Sequence, residues 1–228
     1  MDVQPVAVVI CAAGASSRMG GVKKEYQKLK NGATVLESAV CAFSAVLSVQ
    51  IIVISVPENG EADARMALQS VNIKDEKPLI LFTNGGNTRR ESVFNALSVL
   101  AAFNPYYVLI HDGARPWVTS DLIEKIIAAV KKYGAVIPVV PITDTPKQLE
   151  YADQTAYIKN HLKRMNTAGA QTPQAFKFAE IHHAHEKAAE ASEDFTDDAE
   201  IWGRFCGQVA VIPGDMNNKK ITFPEDFT

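Results

Sequence analysis

The sequence is short of the features that would assign it quickly. It holds three cysteines in 228 residues, Cys11, Cys41 and Cys206, an odd number with no Cys-x-x-Cys pair and no zinc-ligand spacing. Two of them sit in apolar segments, where buried thiols of a reducing compartment are expected. There is no excess of positive charge: 23 Lys and Arg against 26 Asp and Glu give a formal net charge of -3. Without a global positive field nucleic acid is not an expected partner, and any polyanion must be met locally. No uncharged run is long enough to read as a membrane span. The first apolar stretch follows Asp2 rather than a basic segment, so it does not read as a signal peptide, and a cytoplasmic location is expected. Internal repeats, low-complexity tracts and a Gly-x-Ser-x-Gly elbow are likewise missing.

What is present begins with Val6 to Tyr26. The apolar run Val6 to Ala13 predicts a strand buried on both faces. Gly14, Ala15, Ser16 and Ser17 then offer little bulk, so a ligand can approach backbone N–H groups, and Arg18, Lys23 and Lys24 add positive charge. The loop matches neither Gly-x-x-x-x-Gly-Lys-Ser/Thr nor Gly-x-Gly-x-x-Gly. On its own it fits a phosphate-handling loop and a strand-to-helix turn with a basic rim about equally well.

Further along, strands and helices alternate. Thr34 is placed to cap a helix through Val35, Leu36, Ala39, Val40 and Phe43; Gln50 to Val56 reads as a strand, Glu58 to Ser70 as a helix, and Leu79 to Thr83 as a strand. A helix over about 88–102, a strand from Tyr106 to Ile110, a helix capped by Thr119 or Ser120, and a strand from Ala135 to Val140 continue the pattern. It predicts an α/β fold with a mostly parallel twisted sheet flanked by helices, as a single domain over 1–228. From about 141 to 171 the alternation stops, and an extended arm that pairs with a second copy is expected there. A helix from Pro173 to Ala191, a shorter one from Thr196 to Trp202 and a strand from Val209 to Ile212 complete the prediction.

The charged candidates cluster on loops: Arg18 with Lys24, Asp112 with Arg115, Arg164, and Lys219 with Lys220. In a parallel sheet the first two pairs share one edge. Asp112 suits a ribose hydroxyl or Mg²⁺ and Arg115 a phosphate, or the pair simply locks a turn. Gly85-Gly86, beside Arg89 and Ser92, allows close approach of a ligand but is weak alone. His182, His183 and His185 are expected on a solvated face, and Asp194, Asp197 and Asp198 as a capping cluster.

Taken together the motifs resemble one family, 2-C-methyl-D-erythritol 4-phosphate cytidylyltransferase of isoprenoid precursor synthesis. The resemblance rests on Ala12-Ala13-Gly14 with Arg18-Met19, Lys24-x-Tyr26, Gly85-Gly86-x-x-Arg89-x-x-Ser92-Val93, His111-Asp112-Gly113-Ala114-Arg115-Pro116, Asp144-Thr145 with Lys147, Gln171-Thr172-Pro173-Gln174, and Lys220-Ile221-Thr222 before Pro224-Glu225-Asp226. It implies a Rossmann-like fold, CTP and a polyol phosphate as substrates, Mg²⁺, and a homodimer formed through the β-arm at 141–171. It further implies that Arg18 and Lys24 steady the triphosphate, and that Ala12, Ala13, Gly14, Gly86 and Ser92 hold the cytidine. Asp112, Arg115, Thr145, Arg164, Thr172 and Lys220 would bind the methylerythritol phosphate, with Thr145 and Arg164 reaching in from the partner. Between Arg18 and Lys24 the loop is one residue shorter than the family's common form, Glu25 stands where Gln is frequent, and Lys23 competes with Lys24 for its role. The alternatives are transfer to another polyol phosphate such as ribitol 5-phosphate, a nicotinamide-dependent oxidoreductase, disfavoured by the missing glycine fingerprint, and a nucleotide-sensing dimer without catalysis.

Overall fold

A computed structural model describes residues 4–16, 19–69, 78–191 and 193–227. Among them, eight strands form one sheet. Its path runs β10 (Ala210–Pro213), β5 (Ala135–Pro141), β9 (Gln174–Lys177), β4 (Tyr107–Asp112), β1 (Val6–Cys11), β2 (Val49–Val56) and β3 (Leu79–Asn84), with β8 (Ala168–Ala170) also paired to β5. The β1–β2, β2–β3, β1–β4 and β5–β10 ladders are parallel, whereas β9 and β8 run antiparallel to their neighbours.

Alternation along β1 shows how the sheet acquires two buried faces. Val6, Val8 and Ile10 enter one core with α1 (Val35–Ser44), α2 (Glu61–Ala67) and α4 (Ser120–Tyr133). Ala7 and Val9 enter the other with α3 (Arg89–Ala101), α5 (Phe178–Glu190) and α6 (Asp198–Phe205). Because side chains alternate sides with a period of two, an unbroken apolar run is what a strand covered on both faces requires.

From β1 the chain steps outward through β2 to β3, and α3 then carries it back to lay β4 on the other side of β1. Strand order reverses there, so the loops leaving β1 and β4 diverge and open a crevice at the carboxyl ends of these strands. The register sets Cys11 beside Asp112 at its floor.

Three expectations need correction. The segment predicted as one helix from Pro173 is a strand, β9, followed by α5, because the buried run Gln174–Phe176 is drawn between β4 and β5 and ladder pairing overrides local preference. The second short helix is Asp198–Phe205, capped by Asp197. Of the cysteines, only Cys11 is even half-buried; Cys41 lies on α1 away from its buried residues and Cys206 follows α6, and both are exposed. Within the arm, β6 (Lys147–Ala152) and β7 (Thr155–His161) form an exposed antiparallel hairpin outside the main sheet. Its two-residue turn, Asp153-Gln154, has φ of 47° and 67°, the left-handed pair that matches strand twist.

The start of α1 is a reciprocal cap. Thr34 Oγ1 accepts from Glu37 N at 3.0 Å, Glu37 Oε2 accepts from Thr34 N at 3.1 Å, and the Thr34 hydroxyl donates to Ala67 O at 2.9 Å. Thr34→Ala should lower the unfolding free energy by about 1–2 kcal/mol in urea titrations, and Thr34→Ser should retain most of it.

Candidate functional site

The loop after β1 is pinned from within by Lys23, whose ammonium donates to Ala12 O at 3.1 Å and to Gly14 O. Lys24 points elsewhere. Its side chain is buried and donates to Ile221 O at 2.9 Å while lining the crevice. Of the two lysines that competed for the role, Lys24 faces the cleft and Lys23 holds the loop. Ser16 takes a left-handed φ of 49° and its hydroxyl lies 3.4 Å from Glu25 Oε2. Burial pushes the Glu25 carboxyl above its ordinary range. Arg18 lies outside the described residues.

After β3 the chain must pass close to this loop. A Cβ on Gly85 would run into the Ala13 methyl and come within 2.8 Å of Ser92 Oγ, so only glycine fits. Ser92 Oγ accepts from Gly86 N at 3.0 Å and donates to Thr88 O at 2.9 Å. The same serine thus lines the cleft and holds the glycine turn in place.

Asp112, ending β4, is the centre of the charge arrangement. Lys220 Nζ lies 2.8 Å from its Oδ2, Arg115 Nε 3.5 Å from the same oxygen, and Arg89 Nε 3.4 Å from Oδ1. Burial alone would raise this carboxyl, but Arg89, Lys220 and Arg115 outweigh it and hold the group well below the usual carboxylate range. Arg115, whose own pKa burial lowers, also donates to Asn218 O at 2.8 Å.

Behind Asp112 runs a buried relay. Asp112 N donates to Thr172 Oγ1 at 3.0 Å, and that hydroxyl lies 3.1 Å from His111 Nδ1. His111 Nε2 lies 3.1 Å from Arg115 O. A carbonyl can only accept, so Nε2 carries the proton and Nδ1 accepts from Thr172. Desolvation lowers the His111 pKa to about 4, keeping the ring neutral as this pattern requires. The carboxy-terminal segment closes the arrangement: Ile221 N donates to Ala114 O at 2.8 Å and Asn218 Nδ2 to Thr172 O at 2.8 Å.

These parts enclose a cleft of about 410 Å³. Of the residues expected to hold the substrates, Ala13, Gly14, Lys24, Gly86, Ser92, Asp112 and Lys220 line it. Ala12 lies buried beneath the loop, while Arg115 and Thr172 hold Asp112 from behind rather than lining the cleft. Thr145 and Arg164 are exposed, and neither is part of the lining within one chain; Arg164 donates to Thr143 O at 2.8 Å. Two sequence expectations were wrong. His185 is fully buried rather than solvated, its Nε2 3.1 Å from Asp198 Oδ1, and His182 stacks between Phe94 and Phe178. Asp197 does cap α6, but Asp198 is buried and pairs with Arg89 Nη1 at 2.8 Å. Sequence reasoning missed both the Arg89–Asp198 pair and the role of Asn218. The arginine beside Gly85-Gly86 was the one available signal.

Residues 6–228 match the family model described as IspD, 2-C-methyl-D-erythritol 4-phosphate cytidylyltransferase. The chain belongs to that family. It is 40% identical over 231 residues to the bifunctional enzyme IspD/IspF of Bradyrhizobium diazoefficiens, covering 98% of this chain and 54% of that protein. The chain thus spans about half the length of the curated relatives it matches. Among solved structures, the 4-diphosphocytidyl-2C-methyl-D-erythritol synthase of Anaerococcus prevotii superposes with a TM-score of 0.84 at 29% identity, covering 99% of this chain and 94% of that one. The 2-C-methyl-D-erythritol 4-phosphate cytidylyltransferase of Francisella tularensis gives 0.79 at 29% identity, with 98% and 96% covered.

The depressed Asp112 pKa has a pH signature. A carboxyl whose folded pKa lies below its unfolded value of about 3.9 contributes its full stability above that pH. The contribution drains away as the pH falls toward the folded value. Asp112→Asn should cost about 3–5 kcal/mol at pH 7, because it leaves the buried Arg115, and one edge of the partly buried Arg89, without a carboxylate. Urea titrations should show the gap from the parent protein constant from pH 7 to 5 and narrowing below about pH 4.

Proposed function

We propose that this IspD-family chain is a cytidylyltransferase that joins CTP to 2-C-methyl-D-erythritol 4-phosphate. A phosphate oxygen of the acceptor attacks the α-phosphorus of CTP, the bond from that phosphorus to the oxygen bridging to the β-phosphate breaks, and pyrophosphate leaves. The product is 4-diphosphocytidyl-2-C-methyl-D-erythritol. The observation that carries this reading is the cleft itself: a small-residue loop at the strand-order reversal, with Lys24, Arg89 and Lys220 on its walls.

A phosphate monoester is already largely ionised near neutral pH, with a second pKa of about 6, so its oxygen needs no general base. His111, neutral, buried and committed to Thr172 and Arg115, is not needed as one. The chemistry instead requires two anions to be held in line while charge develops on the leaving group. In this reading Lys24 and Arg18 take the triphosphate, and the backbone of Ala12, Ala13 and Gly14, with Gly86 and Ser92, takes the cytidine. Lys220 takes the acceptor phosphate, Asp112 a polyol hydroxyl, and Arg115 and Thr172 fix Asp112.

No group of three or more His, Cys, Asp or Glu among the described residues is placed to hold a metal, and the Asp112 oxygens are engaged with three cations. Any Mg²⁺ in the reaction enters with the triphosphate, as part of the substrate.

The 141–171 arm serves, in the same proposal, to form a homodimer. Its hairpin carries exposed Leu149, Tyr151, Tyr157 and Ile158, apolar surface that a second copy would cover, and Thr145 and Arg164 would then reach the partner's cleft. No helix among the described residues is long and apolar enough to cross a membrane.

Pyrophosphate release from CTP should be fastest with 2-C-methyl-D-erythritol 4-phosphate among a panel of polyol phosphates that includes ribitol 5-phosphate. Lys24→Ala and Arg18→Ala should each lower the rate about 10²–10³-fold, the usual loss for one preorganised donor to developing charge. Near-parental turnover in both variants would refute the assignment. Arg164→Ala should impair use of the polyol phosphate more than CTP binding. Mixing it with Arg18→Ala should restore part of the activity through hybrid dimers; verified heterodimers without activity would exclude a site built from two chains.

A further inference from the structure

Arg89 stands between two buried carboxylates on different layers of the fold. Its Nε faces Asp112 Oδ1 at 3.4 Å in the cleft, and its Nη1 pairs with Asp198 Oδ2 at 2.8 Å, the shorter and better-buried contact. Asp198 has 0% exposure and sits in the first turn of α6. Its other oxygen accepts from His185 Nε2 at 3.1 Å, and the His185 ring lies parallel to Phe94 on α3 with centroids 6.4 Å apart. Gln174 locks the same helix start, donating to Asp197 Oδ2 at 2.8 Å and accepting from Ala199 N at 3.0 Å.

We propose that Asp198, seated by His185, is a positioning residue that acts through Arg89 to set the Asp112 carboxylate and the cations around it. The inference rests on the cytidylyltransferase reading for its kinetic consequence alone. A guanidinium is a planar fork, so fixing one edge on Asp198 aims the remaining N–H groups. Asp198 also neutralises one of three cations crowded around Asp112. Without it Arg89 is drawn wholly onto Asp112, away from the geometry it holds at the cleft wall. Asp198 lies behind Arg89 and is not part of the cleft lining, so no direct contact with substrate is required of it.

The test is a cycle of four proteins: the parent, Asp198→Asn, Arg89→Met and the double variant. Asp198→Asn should lower kcat for pyrophosphate release about 10–100-fold, as a small misplacement at a reacting centre does. In the Arg89→Met background the same change should cost less than about 3-fold, because its only route to the cleft is gone. His185→Phe keeps the ring against Phe94 and removes the donor; it should give a smaller loss with the same masking, and it stands in if Asp198→Asn does not fold. Equal losses in both backgrounds, or full turnover in folded Asp198→Asn, would overturn the proposal. The Arg89 Nε–H resonance, identified by its loss in Arg89→Met, reads the positioning without the reaction. It should shift or broaden in Asp198→Asn, and an unchanged resonance counts against the proposal. A shifted resonance in a protein whose parent releases no pyrophosphate would sink the cytidylyltransferase reading and leave the positioning role standing.

Discussion

One buried carboxylate gathers the cleft. Asp112 lies at the end of a central strand and draws in Arg89 from α3, Arg115 from its own loop and Lys220 from the carboxy-terminal segment. Removing a carboxylate from water is costly, and so is burying a guanidinium; each is tolerable here because the other is present. Such a cluster contributes less to net stability than its short distances suggest. What it provides is arrangement, since charges that depend on one another in a low-dielectric corner have few alternative placements. The surrounding groups are tied down by neutral contacts, such as the Thr172–His111–Arg115 relay, that would not compete with an anionic ligand.

The sheet explains why this carboxylate can do so. Crossing from β3 back to β4 leaves Cys11 and Asp112 side by side at the carboxyl ends of two parallel strands. Inserting β9 antiparallel beside β4 then carries Gln171 and Thr172 to the same end. There Gln171 Nε2 donates to Asp215 O at 2.8 Å, holding the carboxy-terminal segment across the opening. A wholly parallel arrangement would run that strand the other way and leave Asp112 without its backbone partner.

Local patterns made the scaffold legible. The run Val6 to Ala13, the Thr34 and Thr119 caps and the apolar stripe of α4 report structure through neighbours in sequence, and all appear as expected. β9 was misread as helix because its short run owes its conformation to β4 and β5, not to its own residues. The cleft was legible as an ordered set of motifs but not as a geometry. Nothing near Asp198 announces that it faces an arginine 109 positions earlier. Neighbouring aspartates that look alike in sequence divide their work: Asp197 caps a helix while Asp198 is buried against Arg89. The roles differ because Asp197 is the cap, with extended backbone and a carboxylate turned to Glu200 N and Gln174, whereas Asp198 is the first helical residue and is wholly buried.

The two lysines after β1 show the same divergence with a functional consequence. They precede and begin a 3-10 turn over Lys24–Tyr26, Lys23 with extended backbone and Lys24 within the turn, so their side chains leave the chain in different directions. Lys23 folds back onto Ala12 O and Gly14 O and shapes the loop; Lys24 reaches Ile221 O across 197 residues of sequence. Ile221 itself is wholly buried and its N–H is bonded to Ala114 O. The carboxy-terminal segment therefore fastens the β1 loop to the β4 loop through a single residue, and Lys220 comes to Asp112 because Ile221 next to it is anchored. Ordering these long side chains during folding spares part of the entropy that would otherwise be lost when a ligand arrives. On the cytidylyltransferase proposal, which asks the cleft to take two mutually repelling anions, that economy counts most, since cations already in place need no further ordering when either anion binds.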